Sequence, residues 1–232
     1  MNHDWMQGTP RASLLAELAD DRAWPSHEDT FVTWRREPWA RTPSFRAQSV
    51  IYAPAAQVAS VLREVDLCEP SGMAVARHRV LVSASDPQST RQAFFVNSVG
   101  GLVRDRCYSV ECRARRPTDG TFVLMWYSVP PLPVIESEEV RAVWGDVRFH
   151  GCHVQALSPS RTRVRRIVNV DARFEVPAWI AEQVFRRSHA RVCERASTFR
   201  GPEAERRMKD DPFSRAPLSR VSIAPRASLV PR

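Results

Sequence analysis

The stretch that decides the fold covers residues 102–129 and reads LVRDRCYSVECRARRPTDGTFVLMWYSV. Apolar and polar residues alternate in its first half, and successive side chains of a strand leave opposite faces, so this half predicts a strand with one buried face. Residues 117–120, Pro-Thr-Asp-Gly, have turn chemistry, with Gly120 able to take a positive φ. The segment TFVLMWYSV predicts the returning strand. The apolar face of this long hairpin is expected to carry Tyr108, Val110, Cys112, Phe122, Leu124 and Trp126.

The rest of the chain predicts two short helices and a series of strands. Helical spacing of apolar residues predicts helices over residues 13–20 and 53–65. β-branched and alternating segments predict strands over residues 31–35, 44–52, 75–83, 91–99, 138–144, 149–157 and 162–174. No parallel β-α-β unit is indicated, so the pattern favours an α+β architecture built on an antiparallel sheet.

The longest predicted helix covers residues 177–199 and begins with a proline. Its apolar stripe is expected to consist of Ala181, Val184, Ser188, Val192, Ala196 and Phe199. The other face carries Arg186, Arg187, Arg191 and Arg195. A curved sheet that wraps around one helix cannot always fill its interior with side chains, so a pocket is expected there.

Composition and charge set limits on function. The net charge is +8 over 232 residues, and Lys209 is the only lysine. The arginines are scattered, so a nucleic-acid role, which would predict salt-sensitive binding, is not specifically indicated. A diffuse positive surface favours anionic partners, including a transient contact with phospholipid headgroups.

Cysteine usage and hydropathy indicate a soluble, cytoplasmic protein. An odd number of cysteines without CxxC spacing argues against a disulfide framework or a zinc site: Cys68, Cys107, Cys112, Cys152 and Cys193. No signal peptide is recognised, and no apolar run approaches a membrane span. In the run His150-Gly151-Cys152-His153 only two side chains share a strand face, too few to hold zinc.

Taken in order, several motifs resemble the START (StAR-related lipid-transfer) family. FVTWRREP and SFRAQSVIYAPAAQVASVL resemble its opening strands and first packed helix. LVRDRCYSV resembles its Arg-Asp signature, here Arg104-Asp105, and TFVLMWYSV with VRAVWG resembles the next two strands. SPSRTRVRRIVNVDARFEVPAWIAEQVF resembles the last strand and the start of the long helix. The resemblance extends over residues 31–199.

This resemblance implies a helix-grip fold of about nine strands curved around the C-terminal helix, with an internal hydrophobic cavity. It implies a non-catalytic lipid carrier or sensor without a cofactor, whose C-terminal helix acts as a lid. The expected division is an N-terminal helical segment packing on the domain (1–25), a START-like domain (26–200) and a disordered tail (201–232). The closing LVPR resembles the remnant of an engineered protease site and is left out of the functional interpretation.

Departures from the family pattern bear on the ligand. Many members carry a tryptophan shortly after the first packed helix, and DLCEPSGMAVARH has none. Sterol-binding members resemble one another in a buried arginine six residues after the signature arginine, and the matching residue here is Val110. A ligand other than a sterol is therefore expected.

The residues expected to line the cavity come from the hairpin, the last strands and the C-terminal helix. They are Tyr108, Val110, Cys112, Phe122, Leu124, Trp126, Trp144, His153, Arg166, Val168, Ile180, Val184, Ser188 and Val192. Tyr108, His153 and Arg166 are the candidates to orient a polar head. Arg166 has two interpretations: it either shares the apolar face of its strand or is exposed by a bulge, since an unpaired buried charge is very unfavourable.

An alternative function is a polyketide aromatase/cyclase-like enzyme on the same fold. It would need an acid and a base that converge in the cavity, and the sequence indicates no compelling pair. No nucleophile elbow and no glycine-rich phosphate loop is present.

Overall fold

The computed structural model describes residues 10–25, 30–63, 75–82, 89–96, 106–130, 143–173 and 175–199. This part of the chain contains three α-helices, a short 3-10 helix and nine strands. The helices are α1 (Pro10–Ala19), α2 (Ala55–Arg63) and α3 (Ala178–Thr198), and the 3-10 helix is Asp21–Ala23. The strands are β1 (Phe31–Arg35), β2 (Ser44–Ile51), β3 (Val75–Val82), β4 (Ser89–Val96), β5 (Arg106–Thr118), β6 (Thr121–Ser128), β7 (Val143–Trp144), β8 (Asp146–Ser158) and β9 (Arg161–Asp171).

The strands form one curled sheet in the order β1-β2-β9-β8-β6-β5-β4-β3, with antiparallel neighbours throughout. The two-residue β7 lies off this path and pairs in parallel with the start of β5. The predicted α+β helix-grip architecture is confirmed. So is the hairpin turn: Thr118 pairs with Thr121, and Gly120 has φ 73°.

The sheet has two faces that different helices cover. The inner face carries Val164, which packs in one cluster with buried residues of α2 and α3. The outer face carries Ile167, which packs against the N-terminal segment. Successive side chains of a strand point to opposite faces, and paired residues of neighbouring strands share a face. The remaining residues of β2, β5, β6, β8 and β9 are assigned to the inner or the outer face in this way.

The N-terminal segment packs on the outer face of β8 and β9. Leu14 and Leu18 of α1 are 1% exposed and contact Phe149 and Ile167. Gly151 makes this close approach possible, since a Cβ there would lie 2.4 Å from Leu18 Cδ1. The helix is therefore docked where the sheet lacks a side chain.

Charged side chains hold the same segment in place. Glu17 of α1 forms ion pairs with Arg35 and Arg46, each at 2.7 Å. Arg165 of β9 is 2% exposed; its Nη2 donates to Asp21 at 2.5 Å and its Nε to the Gln48 side chain at 2.9 Å. This outer-face arginine is thus buried with a counterion.

On the other side of the sheet, α3 lies against α2, β1 and β2. Phe185 packs on Phe45 with ring centroids 5.6 Å apart. Gln57 of α2 donates from Nε2 to the Ala196 carbonyl at 2.8 Å, which ties the two helices together.

The buried stripe of α3 differs from the predicted one. Its buried residues are Phe185, His189, Val192 and Ala196. Val184 and Ser188, expected to line the interior, are only half-buried, and Ile180 is 37% exposed. Successive residues of a helix are about 100° apart around its axis. Because Phe185 and His189 face the sheet, Val184 and Ser188, each one residue earlier, lie at the edge of the helix–sheet contact.

Several predicted features lie outside the described residues. These are the Arg104-Asp105 signature, residues 138–142 of the predicted strand 138–144 and the tail at residues 201–232. Among the helices that the structure describes, none is long and apolar enough to span a membrane.

Replacing Gly151 with alanine tests the docking of α1. The new Cβ would meet Leu18 Cδ1 at 2.4 Å and the Phe149 ring at 2.6 Å, so Gly151→Ala is expected to lower the free energy of unfolding by about 1–3 kcal/mol in urea titrations. In a Leu18→Ala background the same change should cost less, because one of the two side chains that the new Cβ meets is then shortened. An equal cost in both backgrounds would contradict this packing.

Candidate functional site

The inner face of the hairpin forms an apolar wall. Tyr108, Val110, Cys112, Phe122, Leu124 and Trp126 are all buried on this face, in one cluster with Cys152, Val154 and Val164. Val168 is half-buried and packs against the second inner cluster, which contains Phe45, Ala47 and Phe185. Val192 of α3 is 2% exposed and belongs to the larger cluster.

One end of this wall is closed by β7. Trp144 is half-buried there and pairs with Cys107. The next residue is Gly145, where a Cβ would lie 2.2 Å from the Tyr108 ring, so only glycine leaves room for that ring. Burial raises the pKa of Tyr108 to about 12, which keeps its phenol neutral.

Arg166 lies on the inner face, which decides between its two interpretations. The pairing of β8 with β9 is regular from Phe149 to Ala156, so no bulge turns the residue outward. Its neighbours on the strand face are Val164 and Val168, and the side chain is 5% exposed. The guanidinium carbon lies 5.5 Å from the centre of the Phe185 ring.

Histidine and cysteine side chains surround this guanidinium. Arg166 Nη2 lies 3.4 Å from His150 Nε2, and the Cys152 thiol lies 3.6 Å from the same nitrogen. From α3, His189 Nε2 lies 2.8 Å from Ser49 Oγ and 3.7 Å from the Cys193 thiol. We call these six residues, Ser49, His150, Cys152, Arg166, His189 and Cys193, the inner polar cluster.

Burial keeps the titratable neighbours of Arg166 neutral. It lowers the pKa of His189 to about 3 and that of His150 well below its usual value, and the positive charge of Arg166 adds to both effects. Burial also raises the pKa of the Cys152 thiol to about 11 and raises that of Cys193. At neutral pH the cluster therefore carries one positive charge, on Arg166.

Several buried polar atoms on the inner face have no hydrogen-bond partner in the described part of the chain. They are Nε and Nη1 of Arg166, Nε1 of Trp126 and Nδ1 of His189. Trp126 stacks on His150 with ring centroids 4.4 Å apart, so its indole borders the cluster. Three of these four atoms are obligate donors.

His153 is on the wrong face for its predicted role. It pairs with Val123 and Arg165 and is buried on the outer face. Burial and the nearby Arg165 lower its pKa to about 4. The expectation that it orients a ligand head inside the sheet is therefore wrong, because alternation from Cys152 places it on the opposite side.

Sequence reasoning missed Ser49, His150, Phe185 and His189 as inner-face residues. A usable signal existed for His150, which shares strand parity with Cys152, and for His189, which follows Phe185 by one helical turn. Ser49 could not be found this way, because its meeting with His189 depends on how α3 lies across β2.

The described residues contain no group of three or more histidine, cysteine or acidic side chains that could hold a metal ion. The inner positions of β1, β2, β5, β6, β8 and β9, read from the pairing registers, contain no aspartate or glutamate. The described inner face therefore offers donors and neutral groups rather than metal ligands or a carboxylate base.

Comparison with known proteins identifies the fold. No family model matches the chain, and no curated protein matches its sequence. Among solved structures it is similar to human STARD10, with 14% identity, TM-score 0.67 and coverage of 90% of this chain and 87% of the other. It is also similar to human StAR-related lipid transfer protein 5, with 18% identity, TM-score 0.61 and coverage of 86% and 94%.

A third similar structure is the lipid transfer and protein localization domain of human StarD13, with 16% identity, TM-score 0.59 and coverage of 87% and 98%. These likenesses extend over nearly the whole of each chain. The chain therefore has the START-like helix-grip fold, as its motifs predicted.

The buried histidines predict acid sensitivity. In the unfolded chain histidine titrates near 6.5, whereas folded His153 and His189 have pKa values of about 4 and about 3. As pH falls below 6.5, these histidines become protonated in the unfolded state but stay neutral in the folded state. The free energy of unfolding should therefore fall, by up to about 1.4 kcal/mol per pH unit for each buried histidine.

Urea titrations of the wild type and His153→Gln between pH 8 and pH 5 check this. The variant should show a shallower loss of stability below pH 6.5, whatever its stability at pH 8. Parallel profiles would show that His153 is not buried in its neutral form. The acidic groups with lowered pKa, such as Asp21 and Glu111, act only below this window.

Proposed function

We propose that this protein binds one lipid or other hydrophobic molecule between the inner face of its sheet and the C-terminal helix, for transfer or sensing. The observation that carries this proposal is the group of unpartnered donors among the apolar side chains of the inner face. Native interiors satisfy more than about 90% of their buried polar groups, so donors of this kind indicate a partner outside the polypeptide.

The composition of the apolar wall supports an apolar ligand. Aromatic, aliphatic and thiol side chains line it, and removing apolar area from water stabilises a complex by about 25 cal/mol per Å². The similar solved structures are named for lipid transfer, which supports the same class of ligand. The valine at position 110 supports a ligand other than a sterol.

The ligand has to enter past α3. The unpartnered atoms of Arg166 and Trp126 are sealed from solvent, and Phe185 of α3 lies over the guanidinium. A shift of α3 away from β1 and β2 would expose the inner polar cluster, as a lid that opens for entry and release.

The inner face favours binding over catalysis. His150 and His189 are neutral and have no carboxylate beside them on the described inner face, so they lack the orienting acid that activates a histidine base. The aromatase/cyclase alternative requires such a pair, and turnover of an aromatic polyketide precursor by the purified protein would favour that alternative.

Paired substitutions on neighbouring residues of β6 test the binding site. Trp126 and Met125 are 3% and 4% exposed, on the inner and outer face respectively. Trp126→Leu should weaken binding of an uncharged fluorescent fatty alcohol by roughly fivefold or more through lost apolar contact. Met125→Ala should leave the affinity within about twofold, although both changes lower Tm.

Binding is measured by fluorescence titration, and native mass spectrometry gives the stoichiometry. One bound molecule per chain is expected. Equal effects of the two substitutions, or no binding of any lipid by the folded wild type, would overturn the proposal.

We further propose that α3 contacts an anionic membrane surface during release. Its solvent face carries Trp179, 68% exposed, together with exposed Arg186, Arg187, Arg191 and Arg195. Arginine attracts anionic headgroups, and a tryptophan beside it suits the boundary between headgroups and acyl chains.

Vesicle sedimentation with phosphatidylserine-containing and neutral vesicles tests this contact. Trp179→Ala should reduce binding to the anionic vesicles several-fold, and added salt should weaken it through screening. Tyr52→Ala is the matched control, since Tyr52 is an aromatic residue with the same 68% exposure outside α3. Equal loss in the two variants would contradict a specific role of α3.

A further inference from the structure

Two consecutive arginines of β9 are buried on opposite faces of the sheet in very different surroundings. On the outer face Arg165 has a carboxylate partner, Asp21, and an amide partner, Gln48. On the inner face Arg166 has no ion pair within the described chain, and its hydrogen-bonding neighbours there are both neutral: the imidazole of His150 and the protonated thiol of Cys152. The unpaired arginine is thus the one that faces the proposed ligand.

The contacts that Arg166 makes do not replace a counterion. The Phe185 ring at 5.5 Å offers a cation–π interaction, and His150 accepts at the long distance of 3.4 Å. Burial of an unpaired charge costs several times what an interaction of this kind returns. Nε and Nη1 also stay without acceptors. The site is short of negative charge and of acceptor atoms.

The neighbours of Arg166 do not supply the missing negative charge. His150 and His189 stay neutral, Cys152 stays protonated, and the described inner positions of the sheet hold no acidic residue. Trp126 adds a further donor at the border of the cluster. One positive charge with several spare N–H donors matches a singly charged acid with two acceptor oxygens.

Building on the proposed ligand-binding function, we propose that the ligand is a hydrophobic carboxylic acid whose carboxylate binds Arg166 inside the fold. Guanidinium and carboxylate are matched in charge and in planar geometry, and their hydrogen bonds are charge-assisted. The hydrocarbon part of the ligand would lie along the apolar wall of β5 and β6. Because the guanidinium is sealed, the acid reaches it when Phe185 and α3 move aside.

A chain-matched series of ligands tests the head group without any mutation. Dodecanoate, dodecanol and dodecyl phosphate are compared, below their aggregation concentrations, as displacers of an uncharged fluorescent fatty alcohol. The wild type should bind dodecanoate roughly tenfold or more tightly than dodecanol, the range expected of a charge-assisted hydrogen bond. Equal affinities would overturn the assignment, and tighter binding of dodecyl phosphate would overturn it in favour of a phosphate site.

Matched substitutions of Arg165 and Arg166 test whether Arg166 is the residue that binds the carboxylate. Arg166→Met should remove the preference for dodecanoate while dodecanol still binds within about twofold of the wild type. Arg165→Met removes the same charge from the outer face and should keep the preference. A preference that survives Arg166→Met would place the carboxylate elsewhere.

Thermal stability without ligand gives an independent readout. Arg166→Met should leave Tm unchanged or raise it, because it removes an unpaired buried charge, whereas Arg165→Met should lower Tm because Asp21 and the Gln48 side-chain oxygen lose the hydrogen bonds that Arg165 donates. A comparable loss in both variants would show that Arg166 is paired within the protein. If neither the alcohol nor the acid binds the folded wild type, the failure is that of the ligand-binding function rather than of the head-group assignment.

Discussion

The antiparallel pairing of β8 with β9 is the constraint on which the rest of the structure depends. These two strands lie near the middle of the sheet and are covered on both faces, by α1 outside and by α2 and α3 inside. A strand that is buried on both faces has no solvent side for charged residues. The two arginines in the buried middle of β9, Arg165 and Arg166, must therefore find a partner in the protein or accept one from outside it.

Arg165 and Arg166 show the two solutions. The outer arginine is neutralised by the segment after α1, so the N-terminal residues supply its counterion as well as apolar packing. The inner arginine lies under Phe185 with neutral neighbours. Such a charge lowers stability in the unliganded protein, and proteins commonly accept such a cost where a site serves binding.

The fold was largely predictable from local patterns. Alternation in the hairpin, the Asp119-Gly120 turn and the ordered motifs lead to the observed strands, because period and turn chemistry are local properties. The inner-face residues of β5 and β6 were predicted for the same reason. Strand alternation from Cys152 likewise places His150 on the inner face and His153 on the outer face.

The helix side of the site was less predictable. Which residues of α3 face inward depends on the meeting of Phe185 with Phe45 and of His189 with Ser49, and these contacts join segments more than a hundred residues apart. A helical stripe read from hydrophobicity alone gave Val184 and Ser188, which lie at the edge of the contact. The burial of Arg166 could not be predicted from the sequence alone. It depends on the regular β8–β9 register, since one bulge would have exposed the side chain.

A crystal structure of the protein after incubation with dodecanoate tests the central claim most directly. The account predicts one elongated molecule between the inner face of β5 and β6 and helix α3, with its carboxylate within hydrogen-bond distance of the Arg166 guanidinium. A tightly packed interior without ligand, or a ligand bound only on the outer face, would contradict it.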